Sequence, residues 1–566
     1  MIGRRMLKRL LMLALLALPP SASASAYYVD NCVAVGNDSN NGTAPSTPWL
    51  TVGKVNASTL LPGDSVLFQR TCTWREQLTP PSGGSSTAPI TFGAYGAGAL
   101  PVLNGSSLVT GWTLSSGSIY YASASWSPNL VFQDGTSLTL ETSTAAMVAG
   151  SFYYDPTASR LYVWATDSAS PATHAIEASH YGATYYGLIF VLNLSYITID
   201  SLHLTKYNYN GVEIAGTSSN ITIQNSSFDY GYQNDVTTAE TTATYSNINV
   251  LNNSFSHGGI ARTRTSGPGA AAEGVAVNGF GFQGGSIKGN TIGPSPAEGI
   301  QVLAGAQNVE IASNSVSNAL VGIYVSAGYG TNADTQSITV RYNKVFNSSI
   351  HNYQIALENG ANINGVDFYG NVSDTATGGD CLLFGYAGPG TIKNAHVYNN
   401  TFVNCNNGVE AFGPTADASN QFKNNLISVS GSGYPWVQQD PNDSNYSPDY
   451  NLLYKSGSSS AINWLGSAYA LAAFQSGKSK MMHSLSADPQ LNNPASGDYS
   501  LLSASPAIDT GANLGASYQL GLDPRTRFPW GTLNQNSYGA AWEIGAFVFL
   551  PQTRPAPPTS LSAIVD

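Results

Sequence analysis

An asparagine recurs in the same local setting at Asn253, Asn290, Asn314, Asn343, Asn371, Asn400 and Asn425, at intervals of 37, 24, 29, 28, 29 and 25 residues. A chain that keeps such a period over this length is built of stacked units, each supported by its neighbours. Short β-rich phrases of one kind surround these positions: ITIDSLHL (197–204), ITIQNSSF (221–228), INVLNNSF (248–255), VEIASNSV (309–316) and ITVRYNKV (338–345). A second phrase follows about ten residues after each asparagine, as in NGVEI (210–214), EGVAV (273–277), EGIQV (298–302), VGIYV (321–325), YQIAL (353–357) and NGVEA (407–411). Each has a small residue followed by alternating apolar positions, the period of a strand with one buried face. Helical periodicity is almost absent. Strands this short cannot bury a face alone, so the coils must stack into an all-β solenoid. The asparagines fit a turn whose amide bonds to the equivalent amide one coil away.

The rest of the sequence narrows the class. Charged residues are only 10% of the 566 residues while 42% are hydrophobic, which supplies a core and argues against disorder. Lys and Arg number 22 against 33 Asp and Glu, a net charge of −11 with no basic stripe, so a nucleic-acid partner is not expected. Arg4, Arg5, Lys8 and Arg9, the apolar run from Leu10 to Leu18 and Ala24-Ser25-Ala26 read as a signal peptide cleaved before Tyr27. The mature chain is expected to be secreted, extracellular or periplasmic. No later run approaches the roughly 18 apolar residues of a membrane span.

Four cysteines allow two disulfides in three connectivities. Cys32 with Cys72 and Cys381 with Cys405 are favoured, the second pair lying 24 residues apart, one period. There is no CxxC, and none of the seven histidines forms a paired metal motif, so no metal or cofactor is expected. Asn37-Asp38-Ser39-Asn40-Asn41-Gly42 has calcium-binding residue types but lacks the spaced acids of an EF-hand and reads as a turn. Gly279 to Gly284 matches GxGxxG, yet no helix pattern follows it.

The phrases resemble those of secreted right-handed parallel β-helix proteins, the pectin-lyase-like superfamily, which includes many polysaccharide lyases and glycoside hydrolases. The resemblance extends to YYVD (27–30), GNDSNNGTAPSTPW (36–49) and PGDSVLFQRTCTWREQL (62–78), similar to opening coils of that group, and to SPAIDTG (505–511), Asp523-Pro524-Arg525 and WEIGAFVF (542–549), similar to its closing coil. It implies a right-handed parallel β-helix acting on extracellular polysaccharide. The expected organisation is a signal peptide (1–26), an N-terminal cap with opening coils (27–110), an inserted antiparallel β module (111–190), the regular parallel β-helix (191–430), C-terminal coils and cap (431–550) and a Pro-rich tail (551–566). GSFYYDPTASRLYVW (150–164) reads as a hairpin within the inserted module. A monomer is expected.

In a parallel β-helix equivalent residues of successive coils lie about 4.8 Å apart, so alignment columns become ridges. The position before the small residue runs Asn210, Glu273, Glu298, Val321, Tyr353 or Gln354, Asp380 and Asn407. The outward position within the strand runs Glu213, Ala276, Gln301, Tyr324, Ala356, Leu382 or Leu383, and Glu410, with Glu358 near one strand end. In so weakly charged a chain, Glu273, Glu298, Glu358 and Asp380 gather on one flank and are the candidate catalytic carboxylates. Glycosidic cleavage uses two carboxyl groups about 5–5.5 Å apart for retention or about 6.5–9.5 Å for inversion. Glu273 with Glu298 fits the first and Glu298 with Glu358 the second. The same residues also read as solvated turn positions that protect a sheet surface.

The longest interval contains HGGIARTRTSGPGAAAEG (257–274), whose His257, Arg262 and Arg264 are candidates for binding an acidic sugar or serving β-elimination. Tyr324, His351 and Tyr353 are candidates for a sugar-stacking surface. The Lys, Arg and calcium-binding phrases of alginate and chondroitin lyases are missing, and Gly379-Asp380-Cys381 only half matches the Gly-Asp-Asp of polygalacturonases. A net acidic chain disfavours polyanions. The reading is a polysaccharide-degrading glycoside hydrolase, with a β-eliminating lyase and a non-catalytic carbohydrate-binding or adhesin-type protein as alternatives.

Overall fold

The structure, a computed structural model, describes residues 24–34, 36–182, 186–239, 243, 245–256, 274–295, 297–328, 333–358, 360–386, 389–412, 419–442 and 445–551. His257, Arg262, Arg264 and Glu273, the leader up to residue 23 and all of the Pro-rich tail but its first residue lie outside them.

Each full coil gives one strand to each of three sheets. Sheet A has 13 strands, from Ala26–Val29 to Tyr446–Asp449; sheet B has 12, from Thr73–Trp74 to Leu452–Lys455; sheet C has 12, from Gly187–Leu192 to Ser467–Ala470. Pairing within them is parallel, except that sheet C ends in an antiparallel hairpin of Ser460–Trp464 with Ser467–Ala470. This is the parallel β-helix expected from the period. Alternation sets the faces: in Thr335–Arg341, Ile338 and Val340 point into the core while Ser337, Thr339 and Arg341 point out. Stacking like on like, such as Ile197 on Ile221 on Ile248, makes one continuous core along the solenoid.

The asparagines form the expected ladder between sheets A and B. Asn343 Nδ2 donates to Asn371 Oδ1 (3.0 Å) and to the Ile311 carbonyl (2.9 Å), while Asn314 Nδ2 and its backbone N–H donate to Asn343 Oδ1 (3.0 and 2.9 Å). The pattern runs from Asn253 to Asn451, one coil beyond the sequence expectation, and ends on Ser484 Oγ. The residue before each ladder asparagine has positive φ, as at Asn252, Ser313, Tyr342, Asn399 and Asn424. Asn and Gly tolerate this left-handed conformation best, which explains their frequency at these turns.

Between the opening coils and the regular solenoid, residues 106–179 form a four-stranded and a five-stranded sheet with their own core around Phe152, Leu161, Val163 and Ile176. The hairpin of Ser151–Asp155 with Arg160–Trp164 belongs here, its turn held by Asp155 Oδ1 accepting from the N–H groups of Thr157 and Ala158. Short helices sit near the two ends of the solenoid. Val52–Asn56 buries Val52 and Val55, and Leu471–Lys478 sets Phe474 against Trp464.

The C-terminal segment departs from the closing coil implied by the resemblance. Residues 485–549 run back along the outside of the corner between sheets A and B. Tyr499, Leu501, Leu522, Ile544 and Phe547 bury there against Tyr342, Tyr369, Tyr398, Leu426 and Leu452. The cause is apolar surface: those corner residues point away from the main core and need a cover of their own.

The two disulfides are Cys32–Cys72 and Cys381–Cys405. Cys381 lies on sheet C beside Asp380, so the second bridge pins adjacent coils next to a candidate site residue. Loss of Cys381–Cys405 in the Cys381→Ser, Cys405→Ser variant is expected to cost about 3 kcal/mol, read as a lower midpoint in guanidinium unfolding. Among the described residues no helix is long and apolar enough to cross a membrane.

Candidate functional site

The register of sheet C decides which side chains meet on its outer face. Val277 pairs with Ile300, Ile300 with Ile323, Val321 with His351, Tyr353 with Leu382 and Asp380 with Asn407. Carried back two residues, Val275 stands opposite Glu298. The phrases EGVAV and YQIAL are thus displaced by two residues from the expected alignment. The outward column is Glu213, Thr237, Asn278, Gln301, Tyr324, Gln354, Leu383, Glu410, Val437 and Asn463. Tyr353 faces inward, is fully buried and donates its hydroxyl to the Asn343 and Val372 carbonyls. It offers no surface to a sugar.

Two acid clusters form on this face. In the first, Asp380 is 2% exposed. His351 Nδ1 lies 3.0 Å from its Oδ2, and Asn407 Nδ2 donates to its Oδ1 (2.9 Å). The same Asn407 amide reaches Glu410 Oε2 (3.1 Å), and Gln439 Nε2 donates to Glu410 Oε1. Burial first, and then the charge and hydrogen bond of Asp380, push the Glu410 carboxyl up to about 7. A carboxyl group that keeps its proton beside one held by an amide donor and an imidazole is the asymmetry that acid catalysis requires. Glu410 stood in the sequence column but outside the candidate set. Its signal was its position one coil from Asp380 in a chain with few acids.

In the second cluster Tyr324 donates to Glu358 Oε1, which also accepts from Ser326 Oγ (3.4 Å). Glu298 lies near enough to bear on the Tyr324 hydroxyl, which burial pushes up well beyond its ordinary value. Glu298 precedes its strand and Glu358 follows its own, so they flank Tyr324 from opposite edges of sheet C. Tyr324 is only 6% exposed and is a hydrogen-bonding post rather than an open stacking platform. His351 supports Asp380 instead of presenting a free ring.

The other motifs fall into structural roles. Asp38 of the 37–42 turn accepts from the Leu50 and Thr51 N–H groups and the Thr51 hydroxyl, so the chain itself uses its carboxylate. Residues 279–284 lie in the strands Val277–Phe280 and Phe282–Lys288 and the turn at Gly281 between them. Asp30, Cys32 and Cys72 are the grouping of metal-ligand type among the described residues, but both sulfurs are bonded to each other.

Among the described residues three carboxyl groups share a raised proton affinity, chiefly through burial: Asp235, pushed up to about 8, and Glu410 and Glu543, each to about 7. The folded state holds these protons where the unfolded chain, titrating near 4, has released them. Stability from these groups is therefore present at acid pH and lost as pH rises from about 4 to about 8. The midpoint of thermal unfolding is expected to be several degrees lower near pH 9 than near pH 5. An unchanged midpoint would contradict the assignment.

No family model matches the sequence. A stretch of 80 residues is 41% identical to a lacto-N-biosidase of Bifidobacterium longum subsp. longum, covering 13% of this chain and 5% of that protein. The chain thus spans a small fraction of the length of this curated relative. Among solved structures, the complex of XylC with xylose aligns over 82% of this chain and 87% of its own, with TM-score 0.57 and 12% identity. Pectate lyase Pel9A aligns over 93% of this chain and 96% of its own with TM-score 0.42 and 15% identity. The protein has a parallel β-helix fold, and the XylC alignment shows that the two chains share their overall fold.

Proposed function

We propose that the protein is a secreted glycoside hydrolase acting on extracellular polysaccharide, with Glu410 as acid and base and Asp380 as nucleophile. The observation that carries this reading is the pair itself: two carboxyl groups on adjacent coils of sheet C, one protonated up to about pH 7 and the other held by His351 and Asn407. Asp380 stands opposite Asn407 and Glu410 three residues further along, and the Asn407 amide reaches both carboxyls (2.9 and 3.1 Å), which keeps their oxygens close enough for the short separation of a retaining pair.

In the first step an Asp380 oxygen forms a bond to the anomeric carbon as the glycosidic bond breaks, and Glu410 gives its proton to the departing oxygen. Asp380 becomes a neutral ester, so the charge that helped to raise Glu410 is gone and Glu410 turns into a usable base. It then takes a proton from water, whose oxygen displaces Asp380 and restores both groups. Glu358 and Tyr324, with Glu298, serve to position the chain of sugars further along the same face. Glu358 suits that role better than proton transfer because two hydroxyls already engage its carboxylate.

Hydrolysis is favoured over β-elimination by composition: among the described residues, the strands of sheet C carry no Lys or Arg. His257, Arg262 and Arg264 remain the candidates for a lyase. The test is incubation of the mature protein with neutral and acidic polysaccharides, reading new reducing ends and the ultraviolet absorbance of unsaturated products together. Reducing ends without absorbance are expected. Absorbance in step with reducing ends would overturn hydrolysis, and binding without either product would favour the adhesin reading.

A further inference from the structure

A second surface, on sheet A, has features that the catalytic reading leaves unused. Its outer face carries a column in which Glu310 pairs with Thr339, Thr339 with Asp367 and Asp367 with His396. The neighbouring column contributes Asn308, Ser337, Gly365 and Asn394, and together they line an open trough of about 410 Å³. Ser337, Thr339 and Gly365 form a low middle between taller ends. Three coil steps separate Glu310 from His396, about 14 Å along the solenoid axis.

The ends of the trough are built rather than incidental. Arg341 Nε donates to Glu310 Oε1 (2.7 Å), so that carboxylate is largely neutralised. At the other end His396 Nδ1 lies 2.9 Å from Asp367 Oδ1 and 3.0 Å from the Tyr518 hydroxyl, which itself donates to Asp367. Tyr518 arrives from the C-terminal segment and packs edge-on against Tyr369 and Tyr398, while His396 stacks on Tyr398 at 5.3 Å. This fixes the imidazole and leaves Nε2 without a protein partner among the described residues. The Ser337 and Thr339 hydroxyls likewise have none among the described residues.

We infer that this trough is a second glycan-binding site, taking about three residues of a neutral polysaccharide laid along the solenoid axis. The chemistry is that of hydroxyl recognition: donors and acceptors of mixed type repeat at one-coil spacing, close to the length of a single extended pyranose unit. None of the residues that line the trough is a Lys or Arg, Arg341 beside it is committed to Glu310 and Asp367 adds a negative group, a setting that disfavours an acidic glycan. The site lies on a different sheet from Asp380 and Glu410, so it would hold polymer without contributing to bond cleavage. The inference is independent of the catalytic assignment.

The experiment is native electrophoresis of the full mature protein through gels cast with arabinoxylan, mixed-linkage β-glucan or glucomannan. Four proteins are compared: wild type, Glu410→Gln, Thr339→Trp, which fills the middle of the trough, and His396→Ala. Thr339→Val, which keeps the packing and removes one hydroxyl, controls for misfolding, together with the thermal midpoint of each. Wild type and Glu410→Gln are expected to be retarded equally in at least one gel, and Thr339→Trp to lose about tenfold in affinity, with His396→Ala also weakened. Retardation of Thr339→Trp equal to wild type would overturn the site, as would free migration of wild type in all three gels. If Glu410→Gln alone loses retardation, the glycan is held by sheet C, and the trough is refuted while the catalytic reading stands.

Discussion

Replacing Glu410 by Gln is expected to lower kcat on polysaccharide by about a thousandfold or more while leaving the fold intact. General acid catalysis typically contributes factors of about 10² to 10⁴, and here the same group also serves as base in the second step. Gln keeps the size of the side chain and one of the two acceptors that the Asn407 and Gln439 amides use, but holds no transferable proton. Asp380→Asn should be at least as damaging, because it replaces the nucleophilic carboxylate by a neutral amide. The two variants are separable. A substrate with a good leaving group needs little protonation in the first step, so it should restore much of that step in Glu410→Gln and none in Asp380→Asn. Wild-type activity should fall as pH rises through about 7, where Glu410 loses its proton. Full activity in either variant on its own substrate would sink the assignment.

The second large effect concerns the interior. Asn343→Leu is expected to destabilise the protein by about 3–6 kcal/mol, since each buried polar group left without a partner costs about 1–3 kcal/mol. The substitution strands the Asn314 backbone N–H and side-chain amide, the Ile311 carbonyl and part of Asn371 Oδ1, all inside the solenoid. Leucine restores volume but none of these bonds. The loss should appear as a lower denaturation midpoint, and near-wild-type stability would mean that the ladder is ornamental.

The ladder was legible in the sequence because its residues must be asparagine: only a side chain with both donor and acceptor can bond upward and downward at once. The alternation that fixes inside from outside was legible for the same kind of reason. The register was not. A slip of one residue exchanges the two faces of a strand, but a slip of two preserves them, so EGVAV and YQIAL aligned convincingly two residues out of place. That slip set Tyr353 at the turn that leads into the strand, two residues before the buried rung that it occupies. The pairing of Asp380 with Glu410 depends on the correct rungs and on the insertion of Asn407 between them, which spacing alone does not reveal. The path of residues 485–549 was hidden because the tyrosines they cover sit at corners, where no periodic pattern marks them as buried.

That returning segment also bears on how such a protein can change in size. A solenoid ordinarily lengthens or shortens by gain or loss of a whole coil, since each coil meets only the next. Here Tyr342 Oη donates to the Leu520 carbonyl, Tyr499 Oη to Asp374, Asn399 Nδ2 to the Tyr518 carbonyl and Asn424 Nδ2 to the Ala512 carbonyl. These ties span the coils from 342 to 424, which include both Asp380 and Glu410. A coil duplicated inside that stretch would pull the attachment points apart by one rung, whereas a coil added nearer the N-terminus would disturb none of them. The fastened stretch is thereby held to a fixed number of coils, and variation in length is confined to coils outside the one that joins Asp380 to Glu410.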